Sequence, residues 1–325
     1  MNVQSNYHMT KFDKSSKIYI AGHSGMVGSA CWRILQKSGY TNLIGKSSKD
    51  LDLRNQIAVK DFLSKEKPKV IIDCAAKVGG ILANDKYPFD FIIDNLQIQN
   101  NLIKTAHDLN IKKLIFLGSS CIYPKFAKQP IKEEYLLTGS LEVTNQWYAL
   151  AKISGIKLIE ALKKQYKRDY IALMPTNLYG PNDNYNLETS HVLPALIRKF
   201  HEAKILNKDE VKLWGSGEPL REFLFVDDLA EVIKYFIENS TKYSFLNVGS
   251  SVEITIKELS NLVKTIVGFN GNVIWDKKMP NGTPRKLMDS SKMKNYGLTP
   301  KVSLSDGIRI TYQDFLNNYE NIKSI

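Results

Sequence analysis

The sequence predicts a doubly wound α/β fold, in which a parallel sheet is covered by helices on both faces. Three observations predict it. Short, continuously apolar runs alternate with longer segments that carry apolar residues at helical spacing. A glycine-rich turn separates the first apolar run from the first helical segment. At 325 residues and 43% hydrophobic content, the chain can bury one large core or two smaller ones.

The first half of the chain alternates strands and helices in order. We expect strands at the buried runs "KIYIAG", "TNLIG", "KVIIDCAA", "KKLIFLGSS" and "DYIALMPTNLYGP". We expect helices between them at "MVGSACWRILQKSG", "NQIAVKDFLSKEKP", "DFIIDNLQIQNNLIKTAHDLN" and "NQWYALAKISGIKLIEALKKQY". Gly39 closes the first helix and Pro68 stops the second. After about residue 175 the pattern becomes irregular, which predicts a smaller, discontinuous C-terminal domain over the strand ends.

The net charge of +12 is carried mostly by lysines, since seven of the 45 basic residues are arginine. Arginine is the usual reader of bases and phosphates, so this composition favours a lysine-rich solvated surface over a nucleic-acid-binding patch. Attraction of a small anionic substrate is a further role for the charge. No apolar run reaches the roughly 18 residues of a membrane span. Cys31, Cys74 and Cys121 match no disulfide framework or metal site, so we expect reduced thiols, no metal and a cytoplasmic protein.

Three glycines follow the first strand at intervals of three residues. The first permits a tight turn, the second lets the backbone approach a pyrophosphate, and the third lets helix and strand pack closely. The N-terminus of the next helix offers free N–H groups and partial positive charge. The turn therefore predicts a dinucleotide site, with a purely structural turn as the alternative. Its residues are Gly22, His23, Ser24, Gly25, Met26, Val27 and Gly28.

The residues after the second strand indicate which dinucleotide is bound. No Asp or Glu stands at the tip of "LIG", and Lys46-Ser47-Ser48-Lys49 follows instead. An acidic residue there would bind a ribose hydroxyl of NAD(H), whereas Lys46 and Lys49 suit a 2′-phosphate. We therefore expect NADP(H).

Tyr148 and Lys152 form a YxxxK motif in the long helix after the "LGSS" strand. Their spacing places both side chains on one helix face, and Ser119 and Ser120 stand at a strand end, where ligands bind in such sheets. A phenol with a pKa near 10 must be tuned to exchange protons at neutral pH. The ammonium one turn away is expected to lower that pKa. The alternative is an amphipathic helix with an exposed Tyr and Lys.

Cys121 and His191 are candidates for a second proton-transfer pair. Cys121 follows Ser119 by two residues on the same loop, and His191 stands just before a helix, beyond the "PTNLYGP" turn. A thiol and an imidazole around a ketosugar could move protons α to the carbonyl. The alternatives are a buried structural cysteine and a structural histidine.

Eight stretches resemble the GDP-L-fucose synthase family, in the extended branch of the short-chain dehydrogenase/reductase superfamily, across residues 17–320. They are "IAGHSGMVGSA", "AAKVGGILAN", "FLGSSCIYPK", "YALAKISGIKL", "MPTNLYGPNDN", "SHVLPALIRKFHEA", "WGSGEPLREFLFVDD" and "NGTPRKLMD". The resemblance implies epimerisation of GDP-4-keto-6-deoxy-D-mannose at C3 and C5, then reduction of its C4 ketone by NADPH. It also implies a homodimer that pairs through the helix at 90–109 and the helix of Tyr148.

The resemblance further implies a role for each candidate residue. Ser119 and Tyr148 bind the C4 oxygen, and Tyr148 donates its proton on reduction. Lys152 binds the nicotinamide ribose, and Cys121 and His191 act as base and acid. Beyond the glycine turn, the cofactor would be lined by Leu117, Gly118, Ser119, Ser120, Lys152, Pro175, Thr176, Asn177, Leu178 and His191. The GDP end would be bound by Lys199, Trp214, Arg221 and Asn281.

Three positions depart from the family pattern, and Arg221 has an alternative role. Ser24 and Lys199 stand where the family commonly has arginine, and Asn281 stands where it often has aspartate. Loss of the cation at Ser24 weakens the preference for NADP(H), unless the lysines after the second strand compensate. Arg221 could instead form a surface ion pair with Glu222 or Asp227.

The expected domain organisation follows from these assignments. Residues 1–16 form a loose leader. Residues 17–174 form the NADP-binding domain, with return segments at about 222–250, and residues 175–221 and 251–325 form the GDP-sugar domain. Competing interpretations are a sugar-nucleotide 4-epimerase, 4-reductase or 4,6-dehydratase of the same fold. A non-enzymatic nucleotide- or nucleic-acid-binding protein is more remote, because a sensor need not keep Ser119, Tyr148 and Lys152 together.

Overall fold

A computed structural model describes residues 12–279 and 281–322. Its strands are β1 Ile18–Ala21, β2 Leu43–Ile44, β3 Val70–Asp73, β4 Lys113–Leu117, β5 Asp169–Pro175, β6 Asn177–Tyr179, β7 Glu210–Trp214, β8 Leu220–Phe225, β9 Phe245–Val248, β10 Glu253–Thr255, β11 Asn272–Asp276 and β12 Arg285–Lys286. Its α-helices are α1 Met26–Lys37, α2 Gln56–Glu66, α3 Ile81–Lys86, α4 Pro88–Asp108, α5 Gln146–Tyr166, α6 Val192–Ile205, α7 Val226–Glu238, α8 Ile256–Val267, α9 Ser291–Lys294 and α10 Leu304–Ile322.

The larger sheet is parallel throughout and has the strand order β2-β1-β3-β4-β5-β9. The chain leaves β1 on one side to form β2, then crosses to the other side to form β3. The carboxyl ends of β1 and β3 therefore flank a topological switch point, the place where open α/β sheets bind ligands. The predicted doubly wound parallel fold is confirmed.

Alternate residues of each central strand face different helical layers. Ile20 and Ile72 pack with α1 and α7 on one face of the sheet, whereas Tyr19 and Ile71 pack with α4 and α5 on the other. Because apolar helix surfaces cover both faces of the sheet, the sequences of these strands are continuously apolar and do not alternate between apolar and polar residues. Since the helices cover the two faces, the edge formed by the carboxyl ends of the strands is the side of the sheet that is left for a ligand.

A second, smaller layer lies beyond that edge. Strands β10, β8 and β12 pair in that order, β6 also pairs with β8, and β7 pairs with β11. Helices α6, α8 and α10 pack with these strands around a core rich in aromatic side chains, including Phe200 and Phe315. Within 222–250, α7 and β9 join the larger layer while β8 lies in the smaller sheet. The division into two domains stays a prediction. Strand β8 departs from it, because it is expected in the larger domain but lies in the smaller sheet.

The last residues of the expected N-terminal leader are within the part of the chain that the structure describes. Residues 1–11 lie outside the described residues. Phe12 is 7% exposed and packs into the core beside α1, and Ser16 is 2% exposed. Residues 13–15 between them are exposed, and the division that treats residues 1–16 as a leader stays a prediction. Over the residues that the structure describes, no helix is long and apolar enough to cross a membrane.

Candidate active site

The turn after β1 has the conformation that its glycines predict. Gly22 has a φ of +76°, in the left-handed region that favours glycine. The Gly25 amide donates a 3.0 Å hydrogen bond to the Gly22 carbonyl oxygen. Gly28 lies so close to the Gly22 carbonyl group that a Cβ atom has no room. Strand β1 and helix α1 therefore meet at a tight junction at the open edge of the sheet.

The N-terminus of α1 is free to bind a ligand. Its N-cap is Gly25, which has no side chain to accept from the first amides, and no acidic residue lies in the first turn. The unpaired N–H groups and the helix dipole suit a diphosphate. His23 adds a buried Nδ1 that has no hydrogen-bond partner among the described residues, and its ring lies against Gly45. These residues fit a dinucleotide.

The end of β2 presents two exposed ammonium groups. Lys46 and Lys49 are both exposed directly after this short strand. Ser47 Oγ donates a 2.7 Å hydrogen bond to Asp50, so the intervening loop is held by its own side chains. Two exposed lysines beside the glycine turn fit a 2′-phosphate, and their role stays a prediction.

The carboxyl end of β4 forms the next part of the crevice. Leu117 ends the strand, and a Cβ atom at Gly118 would displace the end of the Met174 side chain. Ser119 then caps a short 3₁₀ helix, Ser120–Ile122, with its Oγ accepting from the Cys121 amide at 3.4 Å. The seryl hydroxyl and the thiol thus follow directly from a buried strand.

The segment that follows β5 is held by strand β8. The backbone carbonyl of Glu222 accepts a 3.2 Å hydrogen bond from Thr176 Oγ1 and a 2.8 Å hydrogen bond from Asn177 Nδ2. Pro175 and Leu178 flank these two residues. The predicted cofactor segment 175–178 is therefore tied to the smaller sheet.

Helix α5 brings Tyr148 and Lys152 to the same end of β4. The buried Lys152 Nζ donates a 2.7 Å hydrogen bond to the Leu117 carbonyl oxygen and lies 5.7 Å from the centre of the Tyr148 ring. Burial lowers the pKa of Lys152, and the Asp73 carboxylate opposes that change. Burial also raises the pKa of Tyr148, and the nearby Cys121 adds to the rise. The Tyr148 pKa is therefore shifted in the direction opposite to the expected lowering, and the main cause is desolvation of the phenol.

Cys121 and His191 have a common electrostatic neighbour, Lys286. Cys121 is 8% exposed, and burial raises the pKa of its thiol, while the Lys286 ammonium and the Ser119 hydroxyl oppose the rise. His191 is the N-cap of α6 and is exposed. Desolvation lowers the pKa of His191, and Lys286 lowers it further. One ammonium group therefore acts on both members of the candidate pair.

A small cavity of about 20 Å³ opens beside Cys121, which is room for about one water molecule. Its polar lining includes Glu142, Asn145 and Lys286. Glu142 forms a 2.8 Å ion pair with Lys125, and the Asn145 Oδ1 is buried without a hydrogen-bond partner among the described residues. We did not assign these three lining residues from the sequence. Lys286 lies in the "NGTPRKLMD" stretch, but only the pairing of β12 with β8 brings it to Cys121.

The four residues expected at the GDP end lie around the smaller sheet. Lys199 Nζ lies 5.4 Å from the centre of the Trp214 ring, which is 43% exposed. The Arg221 guanidinium donates to the Leu220 carbonyl oxygen at 2.8 Å and to the Asn281 carbonyl oxygen at 3.5 Å. Lys199 with Trp214, and Arg221 with Asn281, therefore form two neighbouring pairs of candidate contacts.

Neither ion pair considered for Arg221 forms. Glu222 is fully buried and accepts from the amides of Ser251 at 2.6 Å and Met288 at 2.9 Å. Asp227 pairs instead with Arg33 at 2.6 Å. The guanidinium of Arg221 is left with backbone carbonyl partners, which favours its predicted role in binding an anion.

Comparison with known proteins agrees with this geometry. Residues 18–249 match the NAD dependent epimerase/dehydratase family. The chain is 58% identical to GDP-L-fucose synthase 1 of Arabidopsis thaliana, over 95% of this chain and 96% of that protein. It is 48% identical to GDP-L-fucose synthase of Escherichia coli (strain K12), over 94% of this chain and 98% of that protein. The chain belongs to the GDP-L-fucose synthase family.

A solved member of the same fold has its cofactor in place. The structure of a GDP-L-fucose synthetase from Naegleria fowleri bound to NADP has a TM-score of 0.88 and 30% identity, and 95% of each chain is covered. Membership in the GDP-L-fucose synthase family confirms the resemblance drawn from the eight sequence stretches. The roles of the individual site residues stay predictions, including those of Ser24, Lys199 and Asn281, where this chain departs from the family pattern.

Proposed function

We propose that this protein converts GDP-4-keto-6-deoxy-D-mannose to GDP-L-fucose, by epimerisation at C3 and C5 and then NADPH-dependent reduction of the C4 ketone. One observation carries the proposal: Cys121 follows Ser119 on the loop at the end of β4 and lines one cavity with Lys286. A simple reductase needs only the Tyr148–Lys152 pair. Moving the protons on C3 and C5 requires a second acid–base pair beside it.

Epimerisation uses the acidity that the C4 ketone confers on the neighbouring C–H bonds. Loss of a proton from C3 or C5 forms an enolate, whose oxygen accepts hydrogen bonds from the hydroxyls of Ser119 and Tyr148. Cys121 removes the proton as a thiolate, and His191 returns one to the opposite face as an imidazolium. The raised pKa of Cys121 and the lowered pKa of His191 start the pair as thiol and neutral imidazole. Transfer of the thiol proton to the imidazole generates the active forms, and Lys286 stabilises the thiolate.

Reduction completes the reaction at C4. NADPH supplies a hydride when it is bound. Tyr148 donates its proton to the C4 oxygen, and its raised pKa keeps the phenol protonated until that point. Lys152 has three N–H donors, of which one bonds to Leu117, so two can bond to the nicotinamide ribose. The free amides of α1 bind the diphosphate, and Lys46 and Lys49 bind the 2′-phosphate.

The GDP end is bound by the smaller sheet. Trp214 offers an exposed ring on which a guanine base can stack, with Lys199 above it. Arg221 binds the diphosphate, since its planar guanidinium matches phosphate oxygens and no carboxylate neutralises it among the described residues. Asn281 Oδ1 accepts a 2.8 Å hydrogen bond from the Ser216 amide, which holds the loop beside Arg221.

A homodimer and a cytoplasmic location belong to the proposal. Helices α4 and α5 pack side by side and carry exposed apolar side chains that a second copy would cover. These are Phe89, Trp147, Leu150 and Leu158. Light scattering should give a dimer mass, and a Leu150→Glu/Leu158→Glu protein should give a monomer mass. The three cysteines are free thiols, in keeping with a reducing compartment.

The deciding experiment mixes the purified protein with NADPH and GDP-4-keto-6-deoxy-D-mannose. NADPH loss is followed by absorbance, and the sugar product is identified by NMR. Formation of GDP-L-fucose would establish both activities. NADPH loss with a product that keeps the manno configuration would indicate a 4-reductase and would remove the roles of Cys121 and His191. A folded protein that consumes no NADPH would indicate a 4-epimerase or 4,6-dehydratase with bound NAD, or a nucleotide-binding protein without activity.

A further inference from the structure

Strand β3 ends in a buried carboxyl group, that of Asp73. The side chain is 1% exposed. Its Oδ1 accepts a 3.2 Å hydrogen bond from the Ala75 amide, whereas its Oδ2 is buried without a hydrogen-bond partner among the described residues. A carboxylate in such a place is costly unless an opposite charge lies near it.

The opposite charge is that of Lys152. The register of β3 and β4 places Asp73 beside Phe116, and Lys152 Nζ lies 4.7 Å from the centre of the Phe116 ring. Lys152 is 3% exposed and forms no ion pair within the part of the chain that the structure describes. Asp73 is the group that most favours the charged form of Lys152, ahead of Cys121 and Cys74.

The other titratable groups that face Asp73 are neutral. Tyr19 lies on the neighbouring strand β1, and Cys74 follows Asp73 and hydrogen bonds to Cys31 of α1. Burial and the Asp73 carboxylate raise the pKa of Tyr19, and the Cys31 contact and burial raise that of Cys74. Lys152 is therefore the cation that acts on Asp73 among the described residues.

We propose that Asp73 is a positioning residue of the reductive centre, whose carboxylate keeps Lys152 charged and directed toward the cofactor ribose. The inference rests on the proposed role of Lys152 in holding that ribose. Without the carboxylate, burial would drive Lys152 toward a neutral amine. A neutral amine has two N–H donors instead of three, and one of them is already used by Leu117.

The Asp73 carboxylate also lowers the free energy of unfolding, which a residue with a packing role alone would not do. Burial raises its pKa from 3.8 to about 6. Because the pKa in the folded state exceeds that of the unfolded state, the ionised form disfavours folding. The cost is absent below about pH 4, grows as the pH rises, and is complete above about pH 6. A residue retained for stability would not be a carboxylate at this position.

The test replaces Asp73 with Asn, which keeps the shape and removes the charge. The unfolding temperature without cofactor should rise near neutral pH, and the gain should fade toward about pH 4. NADPH affinity, measured by fluorescence against pH, should fall at alkaline pH and recover as the pH is lowered, because lower pH restores the charge on Lys152. The alkaline limb of that curve should move toward lower pH.

Asp228→Asn is the matched control. Asp228 is another buried carboxyl group with a raised pKa, but it lies on α7 and accepts from the amides of Lys301 and Val302. The Asp228→Asn variant should therefore show the same dependence of NADPH affinity on pH as the parent protein. Asp73→Leu is a second test variant, which removes both the charge and the polar group, and it should shift the curve in the same direction as Asp73→Asn.

Three outcomes would overturn the proposal. NADPH affinity that falls equally at every pH, or a lower unfolding temperature at neutral pH, would make Asp73 a packing residue. If NADPH affinity depends on pH in both Asp73 variants as it does in the parent protein, Asp73 has no effect on the charge of Lys152. None of these measurements uses the sugar nucleotide, so their result is independent of which product the enzyme forms.

Discussion

The Lys152 ammonium donates a 2.7 Å hydrogen bond to the carbonyl oxygen of Leu117, the last residue of β4. This bond ties helix α5 to the strand end from which Ser119 and Cys121 follow. The Tyr148–Lys152 pair and the loop that carries Ser119 and Cys121 are thereby held in fixed positions relative to each other.

Replacing Lys152 with Met should lower kcat by about 100-fold or more, the scale of a lost acid–base group, and should weaken NADPH binding. The methionine preserves the apolar stem and removes the donor to Leu117. Steady-state kinetics and NADPH titration measure the two effects. Lys157→Met is the control, since Lys157 lies on the same helix but forms an exposed ion pair with Glu160. Equal losses in both variants would contradict a specific role for Lys152.

Tyr148→Phe should abolish most reduction while leaving NADPH bound. The expected fall in kcat is about 10²–10⁴-fold, because the C4 oxygen loses its proton donor. Single-turnover NADPH oxidation isolates this step. Tyr166→Phe, at the exposed end of the same helix, should behave as the parent protein does. Reduction at the parental rate in Tyr148→Phe would assign the proton to another group.

Cys121→Ser and His191→Gln should uncouple epimerisation from reduction. In D₂O the parent protein should place deuterium at C3 and C5 of the product, and the two variants should lose that exchange by about 10²-fold or more. Reduction of the unepimerised ketone should continue and serves as the internal control for folding. If Cys121→Ser or His191→Gln lost reduction but kept deuterium exchange at C3 and C5, these residues would belong to the reductive step instead.

Lys286→Met should move the pH dependence of epimerisation upward. Lys286 stabilises the Cys121 thiolate and disfavours the His191 imidazolium, so its removal raises the pKa of both groups. Deuterium exchange at C3 and C5, followed against pH, should shift to higher pH, and Lys286→Arg should restore the parental curve. Arg285→Gln changes the adjacent residue, which pairs with Glu253, and should leave the curve in place. No shift in Lys286→Met would show that Lys286 serves binding alone.

Two alanine variants distinguish a dinucleotide site from a structural turn. A Cβ atom at Gly25 meets only the Gly22 carbonyl oxygen, at 3.5 Å, so Gly25→Ala should fold with an unchanged unfolding temperature. It should nevertheless weaken NADPH binding, by about tenfold, since the new methyl group stands where a diphosphate approaches the α1 amides. Gly28→Ala should lower the unfolding temperature, because its Cβ atom would collide with the Gly22 carbonyl group. Unimpaired NADPH binding in Gly25→Ala would favour the structural turn.

The sequence by itself determined the features that depend on local spacing. Glycines three apart after an apolar run imply a strand, a turn and a helix, and Gly22 and Gly28 adopt the predicted conformation. The four-residue spacing of Tyr148 and Lys152 places them on one face of α5, and His191 precedes α6 as expected. Hydrogen bonding and side-chain direction within one element follow from residues that are close in the chain.

Only the tertiary structure decided which distant groups meet and what charge they carry. Lys286 reaches Cys121 because β12 pairs with β8, a strand more than sixty residues earlier in the chain. Asp73 faces Lys152 because β3 and β4 are neighbours and α5 packs over them. The pKa of Tyr148 rises instead of falling because the fold buries the phenol, which disfavours its anion. Strand order and burial depend on the packing of the whole chain, so no local pattern encodes them.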